Sequence, residues 1–139
     1  MATIIRPELS IKNKYYIDKH RYYELKHFCL QYPVWKSICV NVEKSGAGTS
    51  SFECGHRTNL PGDPTAKRAL LKAYYSEKIK MIEDVAKKTD DYLYQYIIRA
   101  VTEDLSYTYL KTKLDIPCGR DMYYDRYRKF FWLLSNMRE

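Results

Sequence analysis

The feature that most constrains the fold is a long helical face in the middle of the chain. Apolar residues recur there at spacings of four, four, three and four, as on one side of an α-helix: Leu71, Tyr75, Ile79, Ile82 and Ala86. Asp63-Pro64 precedes this run and predicts a helix start, because an acidic N-cap is followed by a proline that suits the first helical position. We therefore expect one long helix over residues 64–88.

The rest of the chain also shows helical patterns. Asp18 and Thr89 are predicted N-caps, and Pro33 ends one helix and opens the next. No stretch favours a strand. The predicted helices are 19–31, 33–42, 64–88, 90–101, 106–114 and 119–137. The predicted fold class is all-α, with five to six helices, a long central helix and a C-terminal helix-turn-helix.

Residues 45–63 divide the chain in two. This segment is rich in Gly, Ser, Thr and Asn, which favours a loop or linker, and its nineteen residues are long for a connection inside a compact domain. We expect an N-terminal helical region over 1–44 and a helical domain over 64–139, with the helix-turn-helix at about 106–137.

The charge balance favours an acidic partner. The net charge is +7, and nucleic acid is the first such partner to consider. The excess is spread out. Residues 1–44 carry eight basic and four acidic side chains (+4), and residues 104–139 carry seven and five (+2). Charge alone therefore supports DNA binding only weakly.

The sequence also predicts a cellular location. No apolar run approaches the roughly 18 residues needed to span a membrane, and the N-terminus lacks the apolar core of a secretory signal. The four cysteines show no disulfide framework and are expected to be reduced thiols. We expect a cytoplasmic protein that does not bind membranes.

Two C-terminal helical patterns and the turn between them predict a helix-turn-helix. Leu110 and Leu114 give the first helix an inward line. Ile116 is expected to fill the corner, and Pro117 stops the first helix from continuing. The apolar stripe of the last helix has spacings of four, three and four: Tyr123, Tyr127, Phe130 and Leu134.

The other side of the last helix carries the predicted DNA contacts. Arginine near the start of such a helix can bind guanine through two hydrogen bonds, and cations farther along usually reach phosphate. The predicted base-reading residues are Arg120, Asp121 and Tyr124. The predicted phosphate contacts are Lys111, Lys113, Arg126, Arg128 and Lys129. A merely solvated, charged helix face is the alternative interpretation of this pattern.

A zinc site and an active site are both disfavoured. The weak zinc candidates are His27, Cys29, Cys54 and His56. Each His–Cys pair is separated by one residue, and residues two apart on a helix point in different directions. No phosphate-binding glycine loop, paired-carboxylate motif or nucleophile elbow occurs. We expect no metal, no cofactor and no enzymatic activity.

Aromatic residues near the N-terminus offer a third kind of site, because tyrosine and tryptophan suit protein interfaces. The residues are Tyr15, Tyr16, Tyr22, Tyr23, Phe28, Tyr32 and Trp35. They could form a dimerisation or polymerase-contact surface. The alternative is that they pack onto the long helix, which we expect of Phe28 and Trp35.

Several motifs in the second half of the chain occur in order. They are D-P-T at 63–65, V-T-E-D at 101–104, S-Y-x-x-L-x-x-K-L-x-I at 106–116 and M-Y-Y-D-R-Y-R-K-F-F at 122–131. Together with the long helix, these motifs give residues 63–134 a resemblance to a family of phage proteins. The family is the ArpU/RinA type of late transcriptional regulator from Firmicute phages. The C-terminal part of that family is similar to the sigma factor region-four helix-turn-helix. The turn over residues 117–121 departs from the family by being about two residues longer.

This resemblance implies a sequence-specific DNA-binding transcriptional regulator of a phage or mobile element. The expected partners are double-stranded DNA, RNA polymerase and a second copy of the chain. The alternative is a phage DNA-packaging subunit, or another protein-interaction module that keeps the helix-turn-helix as a scaffold. Stoichiometry separates the two, since a ring suits packaging and a monomer or dimer suits a regulator.

Overall fold

The fold is helical throughout the residues that the structure, a computed structural model, describes: 13–45 and 64–138. Six helices follow one another there: α1 (Lys19–Leu30), α2 (Tyr32–Ser45), α3 (Pro64–Thr89), α4 (Tyr94–Glu103), α5 (Tyr107–Lys113) and α6 (Arg120–Met137). The all-α prediction, with its long central helix, is confirmed. None of the helices in these two ranges has the length and apolar character to cross a bilayer.

The predicted start of α1 is confirmed at atomic detail. The carboxylate of Asp18 accepts a hydrogen bond from the amide of His20 at 3.0 Å, which satisfies one of the free donors of the first turn. The second helix begins one residue earlier than predicted, at Tyr32, and it continues to Ser45 rather than ending at Val42. Pro33 is tolerated because the amide it lacks has no acceptor inside a first helical turn.

The predicted cap of the fourth helix is wrong: the N-cap of α4 is Leu93, which makes no side-chain capping hydrogen bond. Thr89 is the last residue of α3, and its buried hydroxyl donates to the carbonyl of Val85 at 2.8 Å. The carboxylate of Asp90 instead accepts from the amides of Tyr92 and Leu93, at 2.9 and 3.0 Å. A turn therefore comes first, and α4 begins at Tyr94 instead of residue 90.

Helices from both sides of the 45–63 segment share one core. Tyr22 of α1 is fully buried, and its ring lies 5.1 Å from that of Phe131 in α6. Ile82 and Ala86 of α3 are also fully buried, which confirms the inner part of the predicted helical face. Helix α3 contacts α2, α4 and α6. The segment at 46–63 lies outside the described residues.

The first half of α3 projects beyond this core with α2 beside it. Tyr32 at the start of α2 donates to Glu83 at 2.6 Å, whereas Glu43 near its end pairs with Lys72. The two helices are therefore antiparallel. None of residues 64–81 is buried, while Ile82 and several residues after it are. We call residues 36–45 together with residues 64–77 the arm.

Candidate nucleic-acid interface

The corner between α5 and α6 is built around Ile116. Helix α5 ends at Lys113 and α6 begins at Arg120, so six residues connect them, more than the three or four of a common helix-turn-helix. Asp115 adopts a left-handed conformation (φ 52°), which turns the chain. Ile116 is then fully buried, and its amide donates to the carbonyl of Leu110 at 3.1 Å. The buried corner residue agrees with the sequence prediction, whereas the connection is two residues longer than the predicted 115–118.

Tyr107 fixes this corner, and sequence reasoning missed it. Ser106 caps α5 by accepting from the amide of Tyr109, so Tyr107 is the first helical residue and faces inward. Its buried hydroxyl donates to the carbonyl of Cys118 at 2.7 Å, and its ring lies 5.5 Å from that of Tyr123. The available signal was an aromatic residue directly after a capping serine.

The inner side of α6 is wider than predicted. The expected stripe is buried at Tyr123, Phe130 and Leu134, and Tyr127 is half-buried with its hydroxyl 2.7 Å from that of Tyr22. Phe131, which the stripe omitted, is also fully buried. The wider face is needed because α6 packs against both α1 and α3. The first turn of α6, residues 120–122, is exposed to solvent, whereas residues 124–129 are half-buried.

The base-reading candidates meet at the first turn of α6. Arg120 is exposed, and its guanidinium carbon lies 5.1 Å from the ring centre of Tyr107 and 6.0 Å from that of Tyr124. One guanidinium nitrogen also donates to the hydroxyl of Tyr124 at 3.3 Å. Attraction between a cation and aromatic faces restrains the arginine, yet most of its five donors stay available. Asp121 is exposed beside it.

Four of the five phosphate candidates have no carboxylate partner in the described residues, and they lie on α5 and in the middle of α6. Lys111 and Lys113 are exposed at the end of α5, and the ammonium of Lys111 donates to the carbonyl of Ile116 at 3.4 Å. Arg128 and Lys129 are half-buried on α6. Cations in such positions can reach the phosphate backbone of a duplex that lies against α6.

Arg126, the fifth candidate, is held by two carboxylates. Its guanidinium donates to Asp90 at 2.9 Å and to Asp125 at 2.6 Å. Burial alone would raise the pKa of Asp90, but hydrogen bonds from Arg126 and from two backbone amides outweigh it and hold that pKa below its usual value. This ion pair ties α6 to the connection between α3 and α4. Because both carboxylates already occupy its guanidinium, Arg126 is less available to phosphate than the other four candidates.

The charge of this surface is positive but not strongly so. Over residues 107–129 there are six basic and three acidic side chains, a net charge of +3. Asp121 and Asp125 stand among the cations of α6, and Asp125 is paired with Arg126. A duplex on this surface would therefore depend on well-placed contacts as well as on overall charge.

The structure does not bring the first pair of zinc candidates together. His27 is exposed, whereas Cys29 is fully buried, and burial raises the pKa of its thiol. Cys54 and His56 lie outside the described residues. Within ranges 13–45 and 64–138, no group of three or more His, Cys, Asp or Glu side chains is placed to hold a metal ion.

The N-terminal aromatic residues mostly belong to the core, not to an open surface. Tyr22, Phe28, Tyr32 and Trp35 are buried, and the rings of Phe28 and Trp35 lie 4.9 Å apart. The expectation for Phe28 and Trp35 is confirmed. Tyr15 is half-buried, with its ring 5.6 Å from that of Trp132. Burial thus removes Tyr22, Phe28, Tyr32 and Trp35 from any such interaction surface, whereas Tyr15, Tyr16 and Tyr23 are half-buried.

Comparison of the chain with known protein families, with characterised proteins and with solved structures found no match. The resemblance to the ArpU/RinA type of phage regulator thus stays a prediction from the motifs alone. What the structure itself provides is a pinned helical corner with a restrained arginine in the first turn of α6, and cations without a carboxylate partner in the described residues on α5 and farther along α6.

Proposed function

We propose that this chain is a sequence-specific DNA-binding transcriptional regulator that inserts α6 into the major groove of double-stranded DNA. The observation that carries the proposal is the placement of Arg120. It stands in the first turn of α6, exposed, with its guanidinium beside the neighbouring rings of Tyr107 and Tyr124. In helix-turn-helix proteins the N-terminal residues of the second helix contact the base edges.

The candidate side chains would have two roles, base reading near the first turn of α6 and phosphate binding farther from it. Arg120 would bind the O6 and N7 atoms of guanine, Asp121 would accept from the amino group of cytosine, and Tyr124 would orient the arginine. The phosphate contacts would be Lys111, Lys113, Arg128 and Lys129. They would fix the register of α6 on the duplex without reading the sequence.

The biological setting of the proposal rests on the motif resemblance. It is transcription control in a phage or other mobile element, with RNA polymerase as a second partner through the sigma-like part. The proposed activity is binding, without catalysis.

The experiment is a selection of bound duplexes from a random pool, followed by affinity measurements at several salt concentrations. The variants are Arg120→Ala and Arg128→Ala. The matched control is Arg99→Ala, which removes one positive charge from the exposed surface of α4, where Arg99 pairs with Glu103.

We expect wild type to enrich a defined sequence. Arg120→Ala should weaken binding by about 1–3 kcal/mol and relax the preference at one base pair. Arg128→Ala should weaken binding to all duplex sequences alike. It should also reduce by about one the slope of log affinity against log salt concentration. Failure to enrich any sequence, or variants no weaker than Arg99→Ala, would refute the proposal.

A packaging or other protein-interaction module is the second candidate, and one observation favours it. Leu70 and Tyr74 on the arm are 72% and 56% exposed, which is unusual for neighbouring large apolar residues on one helix. This candidate expects no duplex preference and a ring-shaped assembly, so sedimentation of the purified chain would distinguish it from the regulator.

A further inference from the structure

The outer face of the arm is an apolar surface that no described element covers. Six residues of α3 line one shallow groove there: Lys67, Leu70, Leu71, Ala73, Tyr74 and Glu77. Lys72 lies about 200° around the helix from Leu70. It faces α2, where it pairs with Glu43. The groove is therefore on the side of α3 away from α2.

The positions that line this groove are symmetric about residue 72. Lys67 and Glu77 lie five positions before and after residue 72, and Leu70 and Tyr74 lie two positions before and after it. The two ends thus carry opposite charges, and the centre is apolar. Ala73 and Leu71, one position from the centre, form the two flanks of the groove.

Such an arrangement is complementary to a second copy of itself. When two α3 helices lie antiparallel with a two-fold axis at the level of residue 72, Lys67 of each copy faces Glu77 of the other. Leu70 of each copy then packs against Tyr74 of the other. Each contact occurs twice, as in any two-fold interface. We propose that this groove is the homodimer interface of the protein.

Other arrangements fit this surface less well. A parallel pair of α3 helices would place Lys67 against Lys67 and Glu77 against Glu77. A head-to-tail contact, which builds rings or fibres, does not require a surface that is complementary to itself. Lys72 does not place a charge in the antiparallel interface, because its side chain is directed to Glu43 of α2. The dimer would form whether or not α6 binds DNA.

The first test is the oligomeric state of the full chain, measured by analytical ultracentrifugation over a range of concentrations. Wild type should be a dimer. Leu70→Lys should raise the dissociation constant by about a hundredfold, because it places a charge in the apolar centre twice per dimer. Since Leu70 is 72% exposed, the monomer fold should survive, as circular dichroism would show.

A charge exchange tests the predicted register. Glu77→Lys should weaken the dimer by about tenfold, because it places two lysines together at both ends of the interface. Adding Lys67→Glu to that variant should restore the wild-type affinity. A double variant no better than Glu77→Lys would overturn the antiparallel register.

Cross-linking through introduced cysteines gives an independent measure of the same geometry. In the proposed dimer the two copies of Ala73 lie about 9 Å apart and the two copies of Ala66 about 20 Å apart. A short bis-maleimide should therefore join Ala73→Cys dimers and not Ala66→Cys dimers, with wild type giving the background of the native cysteines. A monomer at every concentration, a larger ring, or equal cross-linking at both positions would reject the dimer.

Discussion

At the scale of single residues, Asp90 links three parts of the molecule. Its carboxylate accepts from the amides of Tyr92 and Leu93 before α4 and forms an ion pair with Arg126 of α6. Because these bonds hold the pKa of Asp90 below its usual value, the ionised form stabilises the folded state. That contribution is complete above the unfolded pKa of about 4 and is lost as the pH falls through the lower folded value.

The variant Asp90→Asn isolates the charge, because the amide oxygen can still accept from the two backbone amides. We expect it to lower the free energy of unfolding by about 1–3 kcal/mol at pH 7, since a charged hydrogen bond to Arg126 is lost. Below pH 4 the difference from wild type should shrink. Urea unfolding between pH 2 and 7 measures both effects. Asp91→Asn on the exposed neighbour is the control, and a constant difference at every pH would contradict the prediction.

At the scale of elements, helix α6 begins without a side-chain cap. Gly119 is its N-cap in an extended conformation (φ −79°), and no side-chain hydrogen bond satisfies the first turn. A Cβ atom added at Gly119 would meet nothing within 4 Å. Neither the backbone nor the surroundings therefore require glycine at this position.

Replacing Gly119 by serine should stabilise the protein by a few tenths of a kcal/mol, because the hydroxyl would accept from a first-turn amide. Gly119→Ala adds the Cβ without an acceptor and should be about 1 kcal/mol less stable than Gly119→Ser. Chemical denaturation of the three proteins provides the measurement. Equal stability of the serine and alanine variants would show that no cap forms there.

Local patterns predicted most of the helices correctly, because the signals act within one or two turns. Asp18 caps α1 and Pro64 begins α3, as expected. The Thr89 cap is wrong because α3 extends through Thr89, whose side chain is buried in the core. Asp90 then caps a turn that precedes α4, and the local pattern of capping residues does not show that this turn intervenes.

At the scale of the whole molecule, the helices should unfold together. The chain has two tryptophans, Trp35 in α2 and Trp132 in α6, on opposite sides of the 46–63 segment. Both helices contribute to one hydrophobic core. Trp35 is one of its buried residues, and Trp132 is partly buried and packs against it. A single cooperative transition is the expectation for such a core.

This cooperativity can be measured with the variants Trp35→Phe and Trp132→Phe, each of which leaves one fluorescent reporter. Within each variant, we expect the urea midpoint from fluorescence to equal the midpoint from circular dichroism. The transitions should coincide because loss of α1 and α2 would expose the inner face of α6. Separate midpoints for the reporter and the overall helix content would instead mean that the N-terminal helices unfold on their own.

The sequence by itself determined the helical class, the long central helix, the buried corner residue Ile116 and the apolar side of α6. These features depend on residues three or four positions apart, which a helix always places on one face. The same spacing indicated that Arg120 and Tyr124 would be neighbours, as they are.

Only the tertiary structure decided what covers each face. Arg126 pairs with Asp90, which is 36 positions away. Several aromatic N-terminal residues belong to the core because α1 packs on α4 and α6 and α2 packs on α3. Among the described helices, α2 alone accompanies that half of α3, and it leaves the groove around Leu70 uncovered. A periodic pattern shows which side of a helix is apolar, but the partner of that side depends on how distant helices pack in three dimensions.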